Sequence, residues 1–585
     1  MIGFQYPISM ILIIILSYAP YVCFGVSETK TGDASDTIYH PQAIFHPVVA
    51  RNGMVSSQQR LASLEGLKVL KEGGNAVDAA VTTAFTLAVT LPRAGNIGGG
   101  GFMLINSAKD KNIIAIDYRE KAPLGAFKDM FLDDEGNVSK QKSRASHLAS
   151  GVPGTVHGLV LALEKYGTIP LKRALAPAIH YAENGFSVNH GLADSLKSAH
   201  KAMQRSKASL DVFYDGAQQR FYRAGDILVQ KDLAKTLKAI AEKGKDVFYR
   251  GWIAKRIAGE MRKNGGLITL EDLEAYEAKI RTPVHGTYRG YDIYSMSPPS
   301  SGGVHIIQML NMLENYPRGF WGHNSARTIH LMAEVMKRAY ADRSKYLGDP
   351  DFVKIPIDGL ISKEYAKLRI ESIDLRKASP ATTLFPGNPI PYESNETTHF
   401  SIIDNMGNAV SNTYTLNFPY GSGITVPGTG ILLNNQMDDF SAKDGVPNAY
   451  GLIGGRFNAI EPQKRMLSSM SPTIVLKDGK LFLITGSPGG GRIINTTLQI
   501  LLNVIDHRMN IAEATNAPRI HHQWLPDEIR IEKGIGFDTR SILRTFGHKA
   551  ALKDSMGSTQ SIMFEEGRFF GSSDPRRSGA LTIGY

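Results

Sequence analysis

One stretch of the sequence reads Thr397-Thr398-His399-Phe400-Ser401-Ile402-Ile403, and it directly follows a segment rich in proline. That segment runs from Ser379 to Glu396, holds four prolines and has little periodicity, which is typical of an exposed linker. The apolar and β-branched residues of the quoted stretch predict a strand, Asp404–Asn408 predicts a turn, and Ala409–Leu416 predicts a second strand. The sequence therefore predicts a hairpin whose first strand begins where a chain break is tolerated.

The rest of the chain alternates helical patterns with further hairpins and shows no internal repeat. Leucines at helical spacing predict a helix over Gln58–Glu72, and a continuous apolar run predicts a buried helix over Ala76–Leu91. Thr473–Lys477 and Lys480–Thr485 flank an Asp-Gly turn and predict a second hairpin, followed by a glycine-rich loop and another helix. Antiparallel strands covered by helices on their outer faces predict a layered α/β fold.

Composition and charge exclude several classes of protein. The 585 residues are 42% hydrophobic and 21% charged, which is ordinary for a globular chain. The net charge of +11 comes without any dense basic run interleaved with aromatics, so no nucleic-acid partner is predicted. Cys23 is the only cysteine, which excludes disulfides and thiolate chemistry. No metal is expected either, since the adjacent His521 and His522 indicate a structural or surface pair.

The N-terminus predicts export. The apolar run Ile8–Leu16 is too short to span a bilayer and is followed by small residues, as in a secretory signal peptide with cleavage near Gly25 or Ser27. No Lys or Arg precedes this run, which leaves an uncleaved anchor as the alternative. We expect the protein in the periplasm of a bacterium or secreted into the medium.

Six short motifs occur in one order over nearly the whole mature chain. They are Gly73–Ala80, Asp117–Glu120, Thr397–Ser401, Leu433–Ser441, Leu467–Thr473 and Gly486–Gly490. Together they resemble the γ-glutamyltranspeptidase family. The resemblance implies an N-terminal-nucleophile αββα sandwich that a large and a small chain form jointly after the precursor cuts itself. The implied segments are a signal peptide over 1–25, a large subunit over 26–396 and a small subunit over 397–585.

The chemistry of Thr397 as a nucleophile can be judged from the residue itself. A free N-terminal threonine carries a hydroxyl and an α-amine of pKa about 7.7–8.0, which accepts the hydroxyl proton near neutral pH. By pattern alone Thr397 is an ordinary strand residue, so its position after the linker and the resemblance identify it as catalytic. The resemblance also implies that Thr415 hydrogen-bonds Thr397 and assists maturation. The backbone amides of Gly489 and Gly490 would stabilise an oxyanion, although a plain strand-to-helix turn is the alternative.

A γ-glutamyl group presents an α-carboxylate and an α-ammonium away from the scissile amide. A guanidinium and hydroxyls suit the first group, and carboxylate or amide oxygens suit the second. The resemblance implies that the α-carboxylate is bound by Arg119, Ser468 and Ser469. It implies that the α-ammonium is bound by Asn417, Gln436 and Asp439. The segment Asp444–Gly455, which contains Tyr450, resembles a lid over this pocket.

The implied activity is γ-glutamyl acyl transfer from glutathione and related donors to water, amino acids or dipeptides, without a cofactor. Two alternatives remain open: a related acylase or poly-γ-glutamate-processing enzyme, and an exported amino-acid-binding protein that does not mature. Thr397, Thr415 and Asp439 favour the enzyme, and Asp439 favours a small glutamyl donor. Acceptor preference and the assembly of the mature pair are not predicted.

Overall fold

Two seven-stranded sheets lie at the centre of the protein, and helices pack on the outer face of each. The computed structural model describes residues 43–317, 319, 321–389 and 401–585. The first sheet has the order β1-β22-β21-β17-β16-β11-β10, and the second has the order β23-β2-β12-β13-β3-β4-β9. Within the described residues, no helix combines the length and the apolar character that a membrane crossing needs.

The strands of the described residues are β1 (Val48–Ala50), β2 (Met54–Ser57), β3 (Gly100–Ser107), β4 (Asn112–Tyr118), β5 (Phe186–Ser187), β6 (Tyr214–Asp215), β7 (Arg220–Phe221), β8 (Ile227–Leu228), β9 (Lys279–Arg281), β10 (Val284–Tyr288), β11 (Tyr291–Ser295), β12 (Ile402–Ile403), β13 (Ala409–Thr415), β14 (Thr425–Val426), β15 (Ile431–Leu432), β16 (Thr473–Lys477), β17 (Lys480–Thr485), β18 (Ile520–His521), β19 (Ile529–Ile531), β20 (Ala550–Leu552), β21 (Gln560–Glu565), β22 (Arg568–Ser573) and β23 (Leu581–Gly584).

The α-helices of the same residues are α1 (Arg60–Lys71), α2 (Ala76–Thr90), α3 (Lys140–Arg144), α4 (Thr155–Tyr166), α5 (Leu171–Asn184), α6 (His190–Ser198), α7 (His200–Met203), α8 (Lys207–Phe213), α9 (Lys231–Lys243), α10 (Asp246–Tyr249), α11 (Trp252–Lys263), α12 (Leu270–Glu274), α13 (Gly302–Leu313), α14 (Ala326–Tyr346), α15 (Ile357–Ile361), α16 (Lys363–Ile370), α17 (Arg492–Ile505), α18 (Ile511–Asn516) and α19 (Phe537–Thr545).

Three hydrophobic clusters confirm the αββα layering that the resemblance implied. A cluster between the sheets joins Leu104 and Ile403 of the second sheet to Ile474 and Ile484 of the first. A second cluster packs α1, α2, α4 and α5 on one outer face, and a third packs α13, α14 and α17 on the other. Each sheet contains strands from both sides of residues 390–400, so neither the part before this segment nor the part after it can complete a sheet alone.

The predicted helices and the second hairpin are confirmed, with small shifts at the helix ends. In the first hairpin the second strand is confirmed over Ala409–Thr415, and the first is confirmed only at Ile402–Ile403, since residues 397–400 lie outside the described residues. The strands over Thr473–Lys477 and Lys480–Thr485 match residue for residue, and every residue of α2 is buried as expected. Asn75 caps α2 through its side chain and pairs with Asp78 in a capping box, which explains why this apolar helix begins there.

The predicted linker is largely exposed where the structure describes it, but its backbone is anchored at two points. Ala381 is fully buried, and its backbone N–H donates to Asp527 Oδ2 at 2.7 Å. The backbone N–H of Gly387 donates to Asp342 Oδ1, also at 2.7 Å. Prolines and low periodicity correctly predict that this segment has no regular secondary structure. They cannot predict its anchoring, because the acidic side chains that bind its backbone belong to distant elements. Residues 390–396 of the predicted linker lie outside the described residues.

A glycine-rich segment brings the strands of the second sheet close together next to the site. A Cβ at Gly99 would lie 2.0 Å from Thr415 O, and one at Gly101 would lie 2.4 Å from Thr413 O. The glycines of this segment therefore allow close backbone packing.

Candidate active site

A cavity of about 380 Å³ opens beside the ends of β13 and β17. Its lining contains all the predicted site residues that the structure describes: Arg119, Thr415, Asn417, Gln436, Asp439, Tyr450, Ser468, Ser469, Gly489 and Gly490. Thr397, the predicted cut before it and the predicted signal peptide lie outside the described residues, and these remain predictions. The structure thus gathers residues from six separate segments around one space.

Arg119 and Asp439 form the charged centre of this cavity. Arg119 is fully buried after β4, and its Nη2 donates to Asp439 Oδ2 at 2.6 Å. Its Nε donates to Met466 O at 3.2 Å, which fixes the plane of the guanidinium. Asp439 ends a short 3₁₀ turn over Gln436–Asp439 and keeps 12% of its side chain exposed. Arg119, which was predicted to bind the α-carboxylate, and Asp439, which was predicted to bind the α-ammonium, are therefore in direct contact.

Two amide side chains complete the polar end that was assigned to an ammonium group. Gln436 Nε2 donates to Asp439 Oδ2 at 3.0 Å, and its Oε1 is buried without a hydrogen-bond partner among the described residues. Asn417 has a φ of 78°, and its backbone N–H donates to Thr415 Oγ1 at 2.9 Å. The Asn417 Nδ2 donates to Asn435 O at 3.0 Å, which leaves the amide oxygen as the acceptor available to a ligand.

A second buried guanidinium, which sequence reasoning missed, lies on the serine side. Arg343 of α14 donates from Nη2 to Ser469 Oγ at 3.2 Å and from Nε to Ser301 Oγ at 2.9 Å. Burial lowers the pKa of Arg343 to about 10, so it remains charged at neutral pH. Ser468, also buried, accepts from the backbone N–H of Met470. No local signal marks Arg343, since it is one of several basic residues along a long helix.

A buried acid next to Arg119 was also missed, although it lies inside a motif quoted from the sequence. Glu120 is fully buried, with Oε2 at 3.5 Å from Arg119 Nη1. Neither carboxylate oxygen of Glu120 has a hydrogen-bond partner within the described part of the chain, and neither has Arg119 Nη1. Burial raises the pKa of the Glu120 carboxyl to about 7, against the opposing charge of Arg119. Burial therefore opposes the ionisation of this acid, whereas the charge of Arg119 favours it.

The glycine loop before α17 presents backbone N–H groups at the wall of the cavity. Gly489 has a φ of 143° and Gly490 a φ of 58°, values that only glycine adopts without strain. The backbone oxygens of both glycines accept bonds from the first turn of α17. Neither glycine N–H donates to an acceptor among the residues described. These amides are therefore available at the wall of the cavity.

Tyr450 of the predicted lid closes one side of the cavity. Its hydroxyl donates to Asn417 O at 2.8 Å, and its ring stacks on Phe418 with centroids 5.1 Å apart. A Cβ on Gly490 would lie 2.4 Å from the Tyr450 ring, so the lid covers the glycine loop directly. Asp438 Oδ2 accepts from the backbone N–H of Ala449 at 3.1 Å, which ties the lid to the residue before Asp439.

One histidine cluster on the far side of α14 has the composition of a metal site. Ligand atoms of His330, Glu334 and His548 lie within 4.8 Å of one another. Hydrogen bonds already use these atoms, because His330 Nδ1 lies 2.7 Å from His548 Nε2 and Glu334 bonds Lys337 and Arg338. We assign this cluster a structural role. His521 and His522 are also buried, and we assign them a structural role. A ring nitrogen of His521 bonds Asn495, and one of His522 bonds Asp527.

Comparison with known proteins identifies the family of this chain. The gamma-glutamyltranspeptidase family model matches residues 62–584. The glutathione hydrolase proenzyme of Escherichia coli K12 is 57% identical over 569 residues, which cover 97% of this chain and 95% of that protein.

Two solved structures are similar to this chain in fold. A cephalosporin acylase from Bacillus halodurans matches with a TM-score of 0.82 at 28% identity, covering 94% of this chain and 99% of the other. The γ-glutamyltranspeptidase of Helicobacter pylori matches with a TM-score of 0.57 at 49% identity, covering 58% of this chain and 96% of the other. By its sequence match over almost the whole described length and by its αββα fold, the chain belongs to the γ-glutamyltranspeptidase family of N-terminal-nucleophile hydrolases.

Proposed function

We propose that this chain is the proenzyme of a γ-glutamyl acyl-transfer enzyme that hydrolyses glutathione and related donors. The observation that carries the proposal is the Arg119–Asp439 pair, buried at the end of a cavity next to unpartnered polar atoms of Gln436 and Glu120. A buried ion pair with free atoms beside it suits a ligand that carries both charges, as the α-carbon of a glutamyl group does.

Thr397 supplies the nucleophile in this proposal. Its hydroxyl attacks the γ-carbonyl carbon of the donor and its own α-amine takes the proton, which then passes to the departing amine. The negative charge on the carbonyl oxygen is stabilised by the N–H groups of Gly489 and Gly490. Water or an acceptor amine then attacks the γ-glutamyl ester on Thr397, and the threonine hydroxyl is regenerated.

Donor recognition is assigned to the two ends of the charged pair. The α-carboxylate of the donor meets Arg119 with the hydroxyls of Ser468 and Ser469, which lie beside the second guanidinium of Arg343. The α-ammonium meets Asp439 and the amide oxygens of Gln436 and Asn417. Asp439 favours a donor with an α-ammonium over a donor without one. Its carboxylate lines the cavity, where an ammonium group adds a second cationic partner beside Arg119.

Maturation and export complete the proposal. The precursor cuts itself between Glu396 and Thr397, giving a large subunit over 26–396 and a small subunit over 397–585 that stay together as a heterodimer. The intermixing of strands from both sides of the cut supports joint folding before cleavage. The N-terminal signal over 1–25 directs the protein to the periplasm or the medium, and cell fractionation that left all activity in the cytoplasm would overturn this part.

Two experiments test the proposal together. Purified protein should show two bands on a denaturing gel and release glutamate from glutathione, with added glycylglycine diverting part of the γ-glutamyl group into transfer product. Thr397→Ala should remain a single chain without activity, whereas Thr397→Ser, which keeps a hydroxyl, should still cut more slowly. Efficient cleavage of Thr397→Ala without added protease would show that the cut is not autocatalytic. A wild-type single chain that binds glutamate without turnover would favour the amino-acid-binding alternative.

A further inference from the structure

A buried guanidinium of α14 lines the active-site cavity without an acid to balance its charge. Arg343 is 5% exposed and lies on the serine side of the cavity. Of the carboxylates that the structure describes, none lies within ion-pair distance of its side chain. Arg119 and Arg519, two other buried arginines, each have a carboxylate at 2.6 Å. Buried charges are normally paired, so the unpaired charge of Arg343 in a cavity wall supports a role in ligand binding.

The hydrogen bonds of Arg343 go to serine hydroxyls. Its Nε donates to Ser301 Oγ at 2.9 Å, and its Nη2 donates to Ser469 Oγ at 3.2 Å. Ser301 donates in turn to Ser468 O, from its hydroxyl at 2.8 Å and from its backbone N–H at 2.9 Å. Arg343 is therefore connected to both serines assigned to the α-carboxylate, to Ser469 directly and to Ser468 through Ser301.

A guanidinium determines where a hydroxyl bonded to it directs its own hydrogen. Because a guanidinium only donates, the hydroxyl must accept from it and keeps its hydrogen for another partner. At Ser301 this hydrogen goes to Ser468 O. At Ser469 no acceptor among the described residues takes it, so it is available to a ligand that offers an oxygen. The hydroxyl of Ser469 is thereby set to bind an anion and not an ammonium group.

The acids of the pocket lie against Arg119 and not against Arg343. Asp439 is 2.6 Å and Glu120 is 3.5 Å from the guanidinium of Arg119. Burial lowers the pKa of Arg343 to about 10, and the neighbouring Tyr340 and Asp439 oppose this shift. Arg343 therefore keeps its charge at neutral pH, and an anionic ligand beside Ser469 would supply the counter-charge that the chain does not.

We propose that Arg343 is a positioning residue for the α-carboxylate of the donor: it directs the hydroxyl hydrogen of Ser469 toward that carboxylate, holds Ser468 through Ser301, and places a positive charge behind both serines. This inference rests on the proposed function and adds a residue outside the six motifs quoted from the sequence. The α-carboxylate then meets Arg119 directly and Arg343 through Ser469. A neutral carboxamide at the same position gains little from either guanidinium, so Arg343 sets the preference for a carboxylate.

The test compares two donors that differ in one group. γ-Glutamyl-p-nitroanilide carries the α-carboxylate, and its α-carboxamide analogue keeps the ammonium and the scissile anilide but lacks that charge. In Arg343→Gln the ratio of kcat/KM for the first donor to that for the second should fall about 10- to 100-fold, the range for one hydrogen bond to a charged group. The loss should appear in KM of the carboxylate donor, with kcat within about 3-fold, because the bonds of Arg343 go to serines and not to the glycine loop.

A conservative variant and a double variant show how Arg343 acts. Arg343→Lys keeps the charge and a donor but loses the fork that bonds two serines, so the ratio should stay within about 5-fold of the wild type. If Arg343 acts through Ser469, adding Arg343→Gln to a Ser469→Ala protein should lower the ratio by less than about 3-fold. Ser301→Ala removes the link to Ser468 and should lower the ratio about 2- to 5-fold. This last variant keeps the guanidinium and serves if Arg343→Gln does not mature.

Two further variants of the same helix serve as comparisons. Arg327, exposed in the first turn of α14, does not line the cavity, and Arg327→Gln should leave both rates unchanged. Tyr340 lies three residues before Arg343, on the same face of the helix, and its hydroxyl donates to Gly491 O. Tyr340→Phe loses this support of the glycine loop, so it should lower kcat on both donors alike and leave their ratio unchanged.

The outcomes separate this inference from the proposed function. An unchanged ratio in Arg343→Gln, or in Ser301→Ala where the first variant does not mature, would overturn the role of Arg343 while glutamyl transfer stands. Equal losses on the two donors would show that Arg343 only supports the fold of the serine loop, and a full loss in the Ser469→Ala background would show that it does not act through Ser469. Hydrolysis of neither donor by a two-chain wild-type protein would overturn the proposed function, and this inference with it.

Discussion

Two buried charged clusters of this protein differ in how completely their hydrogen bonds are satisfied. The first, here the pocket cluster, consists of Arg119, Glu120 and Asp439. The second, here the α14 cluster, consists of His330, Glu334, Lys337, Arg338 and His548. Both are withdrawn from water, and both join residues that are distant in sequence.

In the α14 cluster every charged group has its partners. Glu334 accepts from Lys337 Nζ at 2.9 Å and from Arg338 Nη1 at 2.8 Å, and Ser379 N–H adds a third bond. In the pocket cluster, Arg119 Nη1 and both oxygens of Glu120 have no hydrogen-bond partner among the described residues. Buried polar groups are normally satisfied, so this difference supports the proposal that the pocket cluster binds a ligand and that the α14 cluster is structural.

The largest expected effect is on the stability provided by the α14 cluster. Glu334→Gln leaves Lys337 and Arg338 buried without their counter-charge, which should lower the free energy of unfolding by about 3–5 kcal/mol. Denaturant unfolding measures this, with the exposed Glu371→Gln as a control expected to stay within about 0.5 kcal/mol. Activity of the folded fraction should be nearly unchanged. A large loss of kcat with unchanged stability would mean that the α14 cluster is not structural.

The matching variant in the pocket cluster should show the opposite pattern. Asp439→Asn keeps the shape of the side chain but loses its charge, and kcat/KM for γ-glutamyl anilide should fall by a factor of about 10–1000. Self-cleavage should be close to normal, and the free energy of unfolding should change little. A glutaryl anilide, which lacks the ammonium, should be affected much less. Equal losses on the two donors would contradict the assignment of Asp439 to the ammonium.

Acid should destabilise the α14 cluster through its histidines. Burial lowers the pKa of His548 to about 3, so the folded protein keeps it neutral. The unfolded chain takes up the proton below about pH 6.5, and stability should therefore fall as the pH drops, by about 1.5 kcal/mol from this group between pH 6.5 and pH 5. In His548→Gln the free energy of unfolding should fall by about 1.5 kcal/mol less than in the wild type between pH 6.5 and pH 5. The same pH dependence of the free energy of unfolding in variant and wild type would refute this effect.

The smallest effect concerns the lid that closes the pocket cluster. Tyr450→Phe removes the bond to Asn417 O but keeps the ring stacked on Phe418, so about 0.5–1.5 kcal/mol of lid closure should be lost. We expect KM for γ-glutamyl anilide to rise about 2- to 10-fold. Tyr450→Ala, which also loses the stacking, should raise it further. A smaller effect for the alanine variant than for the phenylalanine variant would mean that the ring does not hold the lid.

Elements with a local cause could be predicted from the sequence. The β16–β17 hairpin follows from alternating apolar residues around Asp478-Gly479, and α2 follows from an apolar run that Asn75 caps. The motifs also pointed to Arg119, Asp439 and the glycine loop, which the structure places around one cavity. Thr397 was predicted by motif and position, and its placement remains a prediction.

Only the tertiary structure decided which charges meet. Arg119 and Asp439 are 320 residues apart, and the folding of both sheets brings them within 2.6 Å. Arg343 and Glu120 carry no local signal in the sequence, because their roles depend on the partners that packing places beside them. Periodicity and turn residues reflect interactions between neighbours along the chain, whereas the satisfaction of a buried charge is set by packing between distant elements.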